Sequence, residues 1–92
     1  MSYGSAGQQG YMQFFYVYIL QSKLSTEHFY VGRTEDLRAR LKKHNDGEVP
    51  HTAKFRPWQI KTAVAFNEEK RAIEFERYLK TASGRAFAKK RL

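Results

Sequence analysis

Two short runs of aromatic and β-branched residues, separated by a polar segment, constrain this chain most. Residues 14–20 and 28–32 are rich in Phe, Tyr, Val and Ile, which favour strands. Residues 21–27 are polar and predict a hairpin loop. Gly32 allows a tight turn into the basic segment that follows at once. The pattern predicts two strands leading directly into a helix.

The segment after the second strand has the signals of a helix start. Thr34 is a suitable N-cap, and Glu35 and Asp36 fall in the first turn, where the helix dipole favours acidic side chains. The helix is predicted to run to about His44, because residues 45–47 are Asn-Asp-Gly, a sequence that stops helices.

The remainder adds one strand and two helices. Residues 58–66 are β-prone and predict a third strand. Asn67 is the expected cap of a helix over residues 68–81, and Ser83 that of a short final helix over residues 85–92. The predicted fold class is α+β, with a small, largely antiparallel three-stranded sheet flanked by helices in the order β-β-α-β-α-α.

Length and composition predict one domain. Residues 1–11 carry no charge and are rich in small and polar residues, so we expect a flexible N-terminal tail before a single domain over residues 12–92. The absence of cysteine excludes disulfides and thiolate zinc sites. No apolar run reaches the length of a membrane span, and no secretory signal pattern precedes the first strand. We therefore expect a soluble cytoplasmic protein without membrane association.

The net charge is +8, from 17 Lys and Arg against 9 Asp and Glu. The excess is greatest over residues 77–92, where there are six basic residues and no acidic one. Such a surface favours a polyanion, and nucleic acid is the expected partner. A solubilising surface, an acidic protein or an anionic membrane are the alternatives.

Helical spacing puts polar side chains on apolar faces. In the first predicted helix His44 falls within the stripe of Leu37 and Leu41, and Arg40 lies at its edge. In the second helix Glu76 falls between apolar neighbours. Because a buried charge without a partner is costly, these groups should meet one another, a metal or a ligand. The structural alternative is an internal Arg40–Glu76 salt bridge, with His44 as a hydrogen-bonded core residue.

The tyrosines of the strands have two interpretations as well. Tyr16 and Tyr18 share one strand face, and Tyr30 lies on the neighbouring strand. Tyrosine is β-prone and often packs in a core with its hydroxyl at the rim. Their closeness in sequence to the arginine-bearing helix favours a functional role.

These residues together resemble the GIY-YIG nuclease superfamily. Residues 16–18 (Tyr-Val-Tyr) stand where the GIY triplet does, and residues 30–32 (Tyr-Val-Gly) stand for YIG. Arg40 lies eight residues after the second triplet, where the superfamily has its catalytic arginine, and His44 follows one turn later. Glu76 matches the metal-binding glutamate of a later helix.

The likeness is greatest to small stand-alone bacterial members, through residues 44–47, residues 56–58 and the C-terminal segment 78–92. It covers residues 14–92. The chain departs from the triplets in having Tyr16 in place of the glycine and valine in place of both isoleucines.

The resemblance implies metal-dependent hydrolysis of phosphodiester bonds. Glu76 would hold a single Mg²⁺ or Mn²⁺ together with waters. Arg40 would hold the phosphate oxygens. Tyr18 and Tyr30 are both candidates for proton transfer, with a slight preference for Tyr18 in that role and Tyr30 for positioning water. His44 would orient a tyrosine or contact the phosphate.

Basic residues outside this set are expected to contact the nucleic acid backbone, which positions a duplex without reading its sequence. They are Arg33, Lys54, Arg56, Lys80, Arg85, Lys89, Lys90 and Arg91. His51 and Thr52 are expected in a mobile loop near the site.

The predicted function is a metal-dependent DNA endonuclease of structure-specific or weakly sequence-specific action. The alternatives are a non-catalytic nucleic-acid-binding module and an adaptor that keeps the fold and depends on a protein partner, which would also serve for targeting.

Overall fold

The computed structural model describes residues 13–92, so the predicted tail of residues 1–11 lies outside the described residues. The described part confirms the α+β class and the predicted order of elements. These are β1 (Phe15–Ser22), β2 (Phe29–Thr34), α1 (Leu37–Asn45), a 3₁₀ turn (Ala53–Phe55), β3 (Trp58–Phe66), α2 (Glu69–Leu79) and α3 (Ala82–Arg91). None of the helices in residues 13–92 combines the length and hydropathy needed to cross a membrane.

The sheet has the strand order β2-β1-β3, and both pairings are antiparallel. In the central strand Tyr18 lies opposite Gly32 of β2 and Ala63 of β3. The β1–β3 register shifts between Ile19 and Leu20. Because side chains alternate along a strand, β1 supplies two different clusters, one on each face of the sheet.

The two faces are covered by different helices. On one face Val17 and Ile19 form a core with Ala72 and Leu79 of α2, and α3 adds Ala88. On the other face Tyr18, Leu20 and Trp58 form a second cluster, which Leu37 and Leu41 of α1 pack against. The helices α1 and α2 therefore lie on opposite sides of the sheet.

The first helix begins later than predicted. Thr34 is the last residue of β2, and Asp36 is the N-cap. An Asp36 carboxylate oxygen accepts a hydrogen bond from the Ala39 N–H at 3.0 Å. The Thr34 hydroxyl accepts from the Asp36 N–H at 3.1 Å, so it supports the turn that precedes the cap.

The caps of the other two helices also differ by one or two residues from those predicted. Glu68, not Asn67, occupies the N-cap position of α2. Thr81, not Ser83, caps α3, and its hydroxyl accepts from the Gly84 N–H at 3.0 Å. Several adjacent residues in each segment can cap a helix, and packing of the helix against its neighbour selects among them.

Gly84 is the point of closest approach between α2 and α3. It is buried, and a Cβ atom there would overlap the Tyr78 carbonyl oxygen and lie 2.7 Å from the Leu79 Cα. We predict that Gly84→Ala lowers the free energy of unfolding by about 1–3 kcal/mol through overpacking, although alanine by itself favours a helix by about 0.5–1 kcal/mol over glycine.

Urea unfolding followed by circular dichroism measures this change. Ser83→Ala is the matched control, since Ser83 is exposed in the same helical turn. A Gly84→Ala protein as stable as the control would show that the helices are not in steric contact here.

Candidate active site

A buried chain of hydrogen bonds links β1, α1 and the loop that precedes β3. The Tyr18 hydroxyl lies 3.0 Å from Nε2 of His44. Nδ1 of His44 lies 2.7 Å from the Thr52 hydroxyl. All three residues are at most 1% exposed. These two hydrogen bonds fix the His44 imidazole from both sides.

The partners of Thr52 indicate which ring nitrogen carries the proton. The Thr52 hydroxyl has a single proton, and it donates to the Val49 carbonyl at 3.3 Å. We therefore assign the imidazole proton to Nδ1, which donates to Thr52. Nε2 is then an acceptor, and the Tyr18 hydroxyl donates to it.

His44 is held in its neutral form. Burial lowers the pKa of its imidazole below the ordinary value, and the positive charge of Arg40 lowers it further. A neutral imidazole can accept a hydrogen bond from the Tyr18 hydroxyl. The prediction that His44 lies on the apolar face of its helix is confirmed by its full burial.

The loop that carries Thr52 is anchored to the start of β3. The Trp58 indole N–H donates to the Thr52 carbonyl at 2.9 Å. The side chain of Asn45, the last residue of α1, bonds both the N–H and the carbonyl of Trp58, at 2.6 and 3.1 Å. The expectation of Thr52 as part of a mobile loop is wrong, because its side chain is buried under these contacts. No sequence signal separates this threonine from an ordinary loop threonine.

The Tyr18 ring lies directly over Gly32 of the neighbouring strand. A Cβ at Gly32 would overlap the Tyr18 hydroxyl, so a side chain there would displace the phenol. The pKa of Tyr18 is raised to about 12, first by burial and then by the nearby Tyr30, although the charge of Arg40 acts in the opposite direction. With that pKa, about one molecule in 10⁵ carries the phenolate at pH 7.

Tyr30 occupies a more open position in the same cluster. It is half-buried, whereas Tyr18 is 1% exposed. Its ring centroid lies 5.0 Å from that of His44 and 6.4 Å from that of Tyr18. The structure therefore brings both predicted tyrosines to one histidine, with Tyr30 nearer to solvent.

A cleft of about 380 Å³ opens beside these groups, where β2 leads into α1. Its lining consists of Phe15, Arg33, Thr34, Glu35, Asp36 and Arg40. Arg40 is half-buried and links the cleft to the tyrosine cluster, since its charge acts on the pKa values of both Tyr18 and His44. A guanidinium in that position can bind an anionic group held in the cleft.

Glu76 does not pair with Arg40. Its Oε1 accepts from Nε of Arg33 at 3.2 Å, and its Oε2 accepts from the Lys80 ammonium at 3.0 Å. The structural alternative of an internal Arg40–Glu76 bridge is therefore wrong, because α1 and α2 lie on opposite faces of the sheet. Arg33 also approaches Glu69, at 3.4 Å.

The edge position of β2 explains how Glu76 still approaches the tyrosines. Nothing pairs with the outer side of β2 in the described sheet, so side chains from both faces can approach that free edge. Glu76 is near enough for its charge to raise the pKa of Tyr18, although burial and Tyr30 have larger effects. Its side chain keeps 20% of its surface exposed.

Glu76 fits a metal only with few protein ligands. Within residues 13–92 no cluster of three or more His, Asp or Glu side chains is suited to a metal ion. Each Glu76 oxygen accepts from one basic side chain, and each retains a second acceptor position. One carboxylate, with waters and a substrate phosphate as the other ligands, is a mode of binding typical of Mg²⁺.

The predicted DNA-contacting residues lie in two exposed regions. Lys54 and Arg56 follow the Thr52 loop, where Lys54 lies over the Phe55 ring and the Arg56 side chain donates to the Ala53 carbonyl at 2.7 Å. The second region lies at the end of α2 and along α3, and contains Lys80, Arg85, Lys89, Lys90 and Arg91. Arg33 differs from these because it is bound to acidic partners.

The strand order, the paired tyrosines and the arginine-bearing helix α1 can be compared with known domain families. A profile of the GIY-YIG catalytic domain matches residues 14–91. The chain belongs to the GIY-YIG family, a nuclease family, as its residues had suggested.

Among curated proteins, the chain is 37% identical over 68 residues to the UPF0213 protein YazA of Bacillus subtilis (strain 168). The aligned segment covers 73% of this chain and 65% of that relative. The chain thus spans less than two thirds of the length of the curated relative it matches.

The lowered pKa of His44 predicts a pH dependence of stability. In the unfolded chain a histidine binds a proton below about pH 6.5, whereas the native state resists protonation of His44. The free energy of unfolding should therefore fall as the pH is lowered from about 7 to 5. His44→Gln should weaken this dependence, because glutamine does not titrate.

Urea titrations at several pH values measure the effect. His51→Gln serves as the control, since His51 is exposed. This variant should leave the slope of the free energy of unfolding against pH as it is in wild type. Equal slopes for wild type and His44→Gln would contradict the burial of a neutral imidazole.

Proposed function

We propose that this protein is a metal-dependent endonuclease that hydrolyses phosphodiester bonds of DNA. The observation that supports this best is the cluster of Tyr18, Tyr30 and His44 beside the Arg40 cleft. In a chain of the GIY-YIG family, these groups supply hydroxyls, a proton acceptor and a cation around one open edge of the sheet.

Glu76 would hold a divalent ion, Mg²⁺ or Mn²⁺, together with waters and the substrate phosphate. When bound, the ion would neutralise charge on the scissile phosphate and stabilise the leaving oxygen. Arg33 and Lys80 already neutralise this carboxylate. Their charge disfavours a cation before the anionic substrate arrives, so metal and DNA should bind cooperatively.

Arg40 would bind the non-bridging oxygens of the phosphate. Its position at the cleft, next to the tyrosines, suits a guanidinium that stabilises charge as it develops. Arg33 lines the same cleft. Because Arg33 is held by Glu76 and Glu69, its main effect would be to orient Glu76.

The burial of Tyr18 changes the assignment of the two tyrosines. A phenol that is 1% exposed and has a raised pKa is poorly placed to take a proton from water. Tyr30 is more exposed and would contact the attacking water. Tyr18 would act through His44, to which it donates a hydrogen bond, and would keep the imidazole in position against Tyr30.

His44 would act as a positioning residue. It is buried and bonded at both ring nitrogens, which favours orientation of the tyrosines over direct contact with the phosphate. Thr52 would share that role, because it fixes the far side of the ring.

The exposed basic residues of α3 and of the Thr52 loop would bind the DNA backbone. Contacts of this kind are independent of sequence. We therefore propose structure-specific or weakly sequence-specific cleavage. The chain spans only part of its curated relative, and a targeting partner would supply further selectivity.

Cleavage assays test this function. We predict that wild type cuts at least one of supercoiled plasmid, branched DNA or single-stranded DNA with Mg²⁺ or Mn²⁺, and that EDTA stops the reaction. Glu76→Gln and Arg40→Gln should each lower the rate by about 10²–10³-fold, typical for loss of electrostatic stabilisation, while both proteins still bind DNA.

Matched controls are available on the same helices. Glu74→Gln and Arg38→Gln remove exposed charges of α2 and α1 and should leave cleavage unchanged. A wild type that binds these substrates yet cuts none of them under any metal would refute the proposal and favour a non-catalytic binding module.

The two tyrosines can be separated by their phenylalanine variants. Tyr30→Phe should lower the cleavage rate by about 10²–10⁴-fold, the usual contribution of a proton-transfer group. Tyr18→Phe should have a smaller effect on cleavage but a larger effect on stability, because it leaves buried Nε2 of His44 without a donor. Paired rate and urea measurements on both variants decide the assignment, and the reverse order of cleavage rates would return the proton-transfer role to Tyr18.

A further inference from the structure

A second, larger groove lies at the start of β2, on the face of the sheet that α2 and α3 cover. It has a volume of about 950 Å³ and runs between the β1–β2 hairpin and α3. Its floor is mostly apolar, with Ile19, Val31, Leu79 and Ala88 among the lining residues. The proposed catalytic chemistry uses none of these four side chains.

An exposed aromatic side chain lines this groove. Phe29 is 51% exposed, and Tyr30 lines the groove next to it. Phe29, the first residue of β2, belongs to neither of the two core clusters of the described residues. Exposed rings of this kind provide a surface on which nucleobases can stack.

Basic side chains form the rim. The groove is lined by Lys61, Lys80, Arg85 and Lys89, and Glu27 is the one acidic residue of the lining. Lys61 and Lys80 already bond the Leu92 carbonyl and Glu76. Arg85 and Lys89 lie one turn apart on α3 and form no ion pair within residues 13–92.

We propose that this groove binds a single-stranded segment of DNA. Stacking of bases on an aromatic ring, combined with phosphate contacts to a basic rim, is how proteins hold unpaired strands. In a duplex the bases are already stacked on one another, so they are not available to stack on Phe29. The proposed function acts on DNA, so the bound strand is taken to be DNA, and RNA of the same length is tested against it.

The groove adjoins the candidate active site. Tyr30 belongs both to the groove and to the tyrosine cluster, and Lys80 joins the rim to Glu76. A strand held on Phe29 therefore continues toward the candidate active site. This inference rests on the proposed function, and it names the substrate class as DNA with an unpaired segment beside the cleaved bond.

Binding in EDTA tests the groove without cleavage. The probes are fluorescein-labelled 12-nucleotide oligo(dT), oligo(U) of the same length and a 12-base-pair duplex, followed by fluorescence anisotropy. Phe29→Ala should weaken oligo(dT) binding by about 5- to 140-fold, the equivalent of one stacked base, and leave duplex binding unchanged. Lys89→Gln should lower the salt dependence of oligo(dT) binding by about 0.7 in log–log slope.

Leu24→Ala is the control for Phe29→Ala, and Lys70→Gln is the control for Lys89→Gln. Leu24 is exposed in the hairpin loop and Lys70 on α2, and neither lines the groove. Photo-crosslinking with 5-iododeoxyuridine in place of one thymidine should label the peptide that contains Phe29. The proposal would be overturned if Phe29→Ala and Leu24→Ala lost the same affinity for oligo(dT), or if Phe29→Ala lost the same affinity for oligo(dT) and for the duplex. It would also be overturned if wild type bound oligo(U) more tightly than oligo(dT).

The outcome is separable from that of the proposed function. If oligo(dT) binds through Phe29 while wild type cuts nothing with Mg²⁺ or Mn²⁺, the groove is supported and the nuclease proposal fails. If wild type cuts DNA and Phe29→Ala binds oligo(dT) as wild type does, the groove proposal fails and the nuclease proposal stands.

Discussion

The buried hydrogen bond between Tyr18 and His44 is the interaction on which the rest of the site depends. It joins the central strand to α1, and Thr52 extends it to the loop before β3. A buried polar group left without a partner costs about 1–3 kcal/mol. The three segments are therefore tied together, because loss of any one of the three groups would leave a buried partner without its hydrogen bond.

The edge position of β2 is the second constraint. The cluster of Tyr18, Tyr30 and His44 lies on the face covered by α1, whereas Glu76 comes from α2 on the opposite face. A central strand would separate them. Because nothing pairs with the outer side of β2 in the described sheet, the Glu76 carboxylate and the phenols approach the same open edge.

Charge is distributed according to the same geometry. Glu76 is surrounded by Arg33 and Lys80, so it is a neutralised carboxylate rather than a preformed metal cage. Arg40 lines the cleft at the end of β2, and the cations of α3 border the apolar groove at its start. The edge strand thus has the Arg40 cleft at its end and an apolar groove with a basic rim at its start.

The sequence by itself determined the class of the fold, the order of its elements, the bounds of β3 and the apolar-face position of His44. These follow from local patterns of hydrophobic, β-branched and capping residues, which act within a few positions along the chain. The tertiary structure alone decided that Glu76 pairs with Arg33 instead of Arg40, that Thr52 is buried against His44, and that Tyr30 is more open than Tyr18. Those outcomes depend on which face of the sheet each helix covers and on the close approach of Tyr18 to Gly32, and helical or strand periodicity contains no information about either.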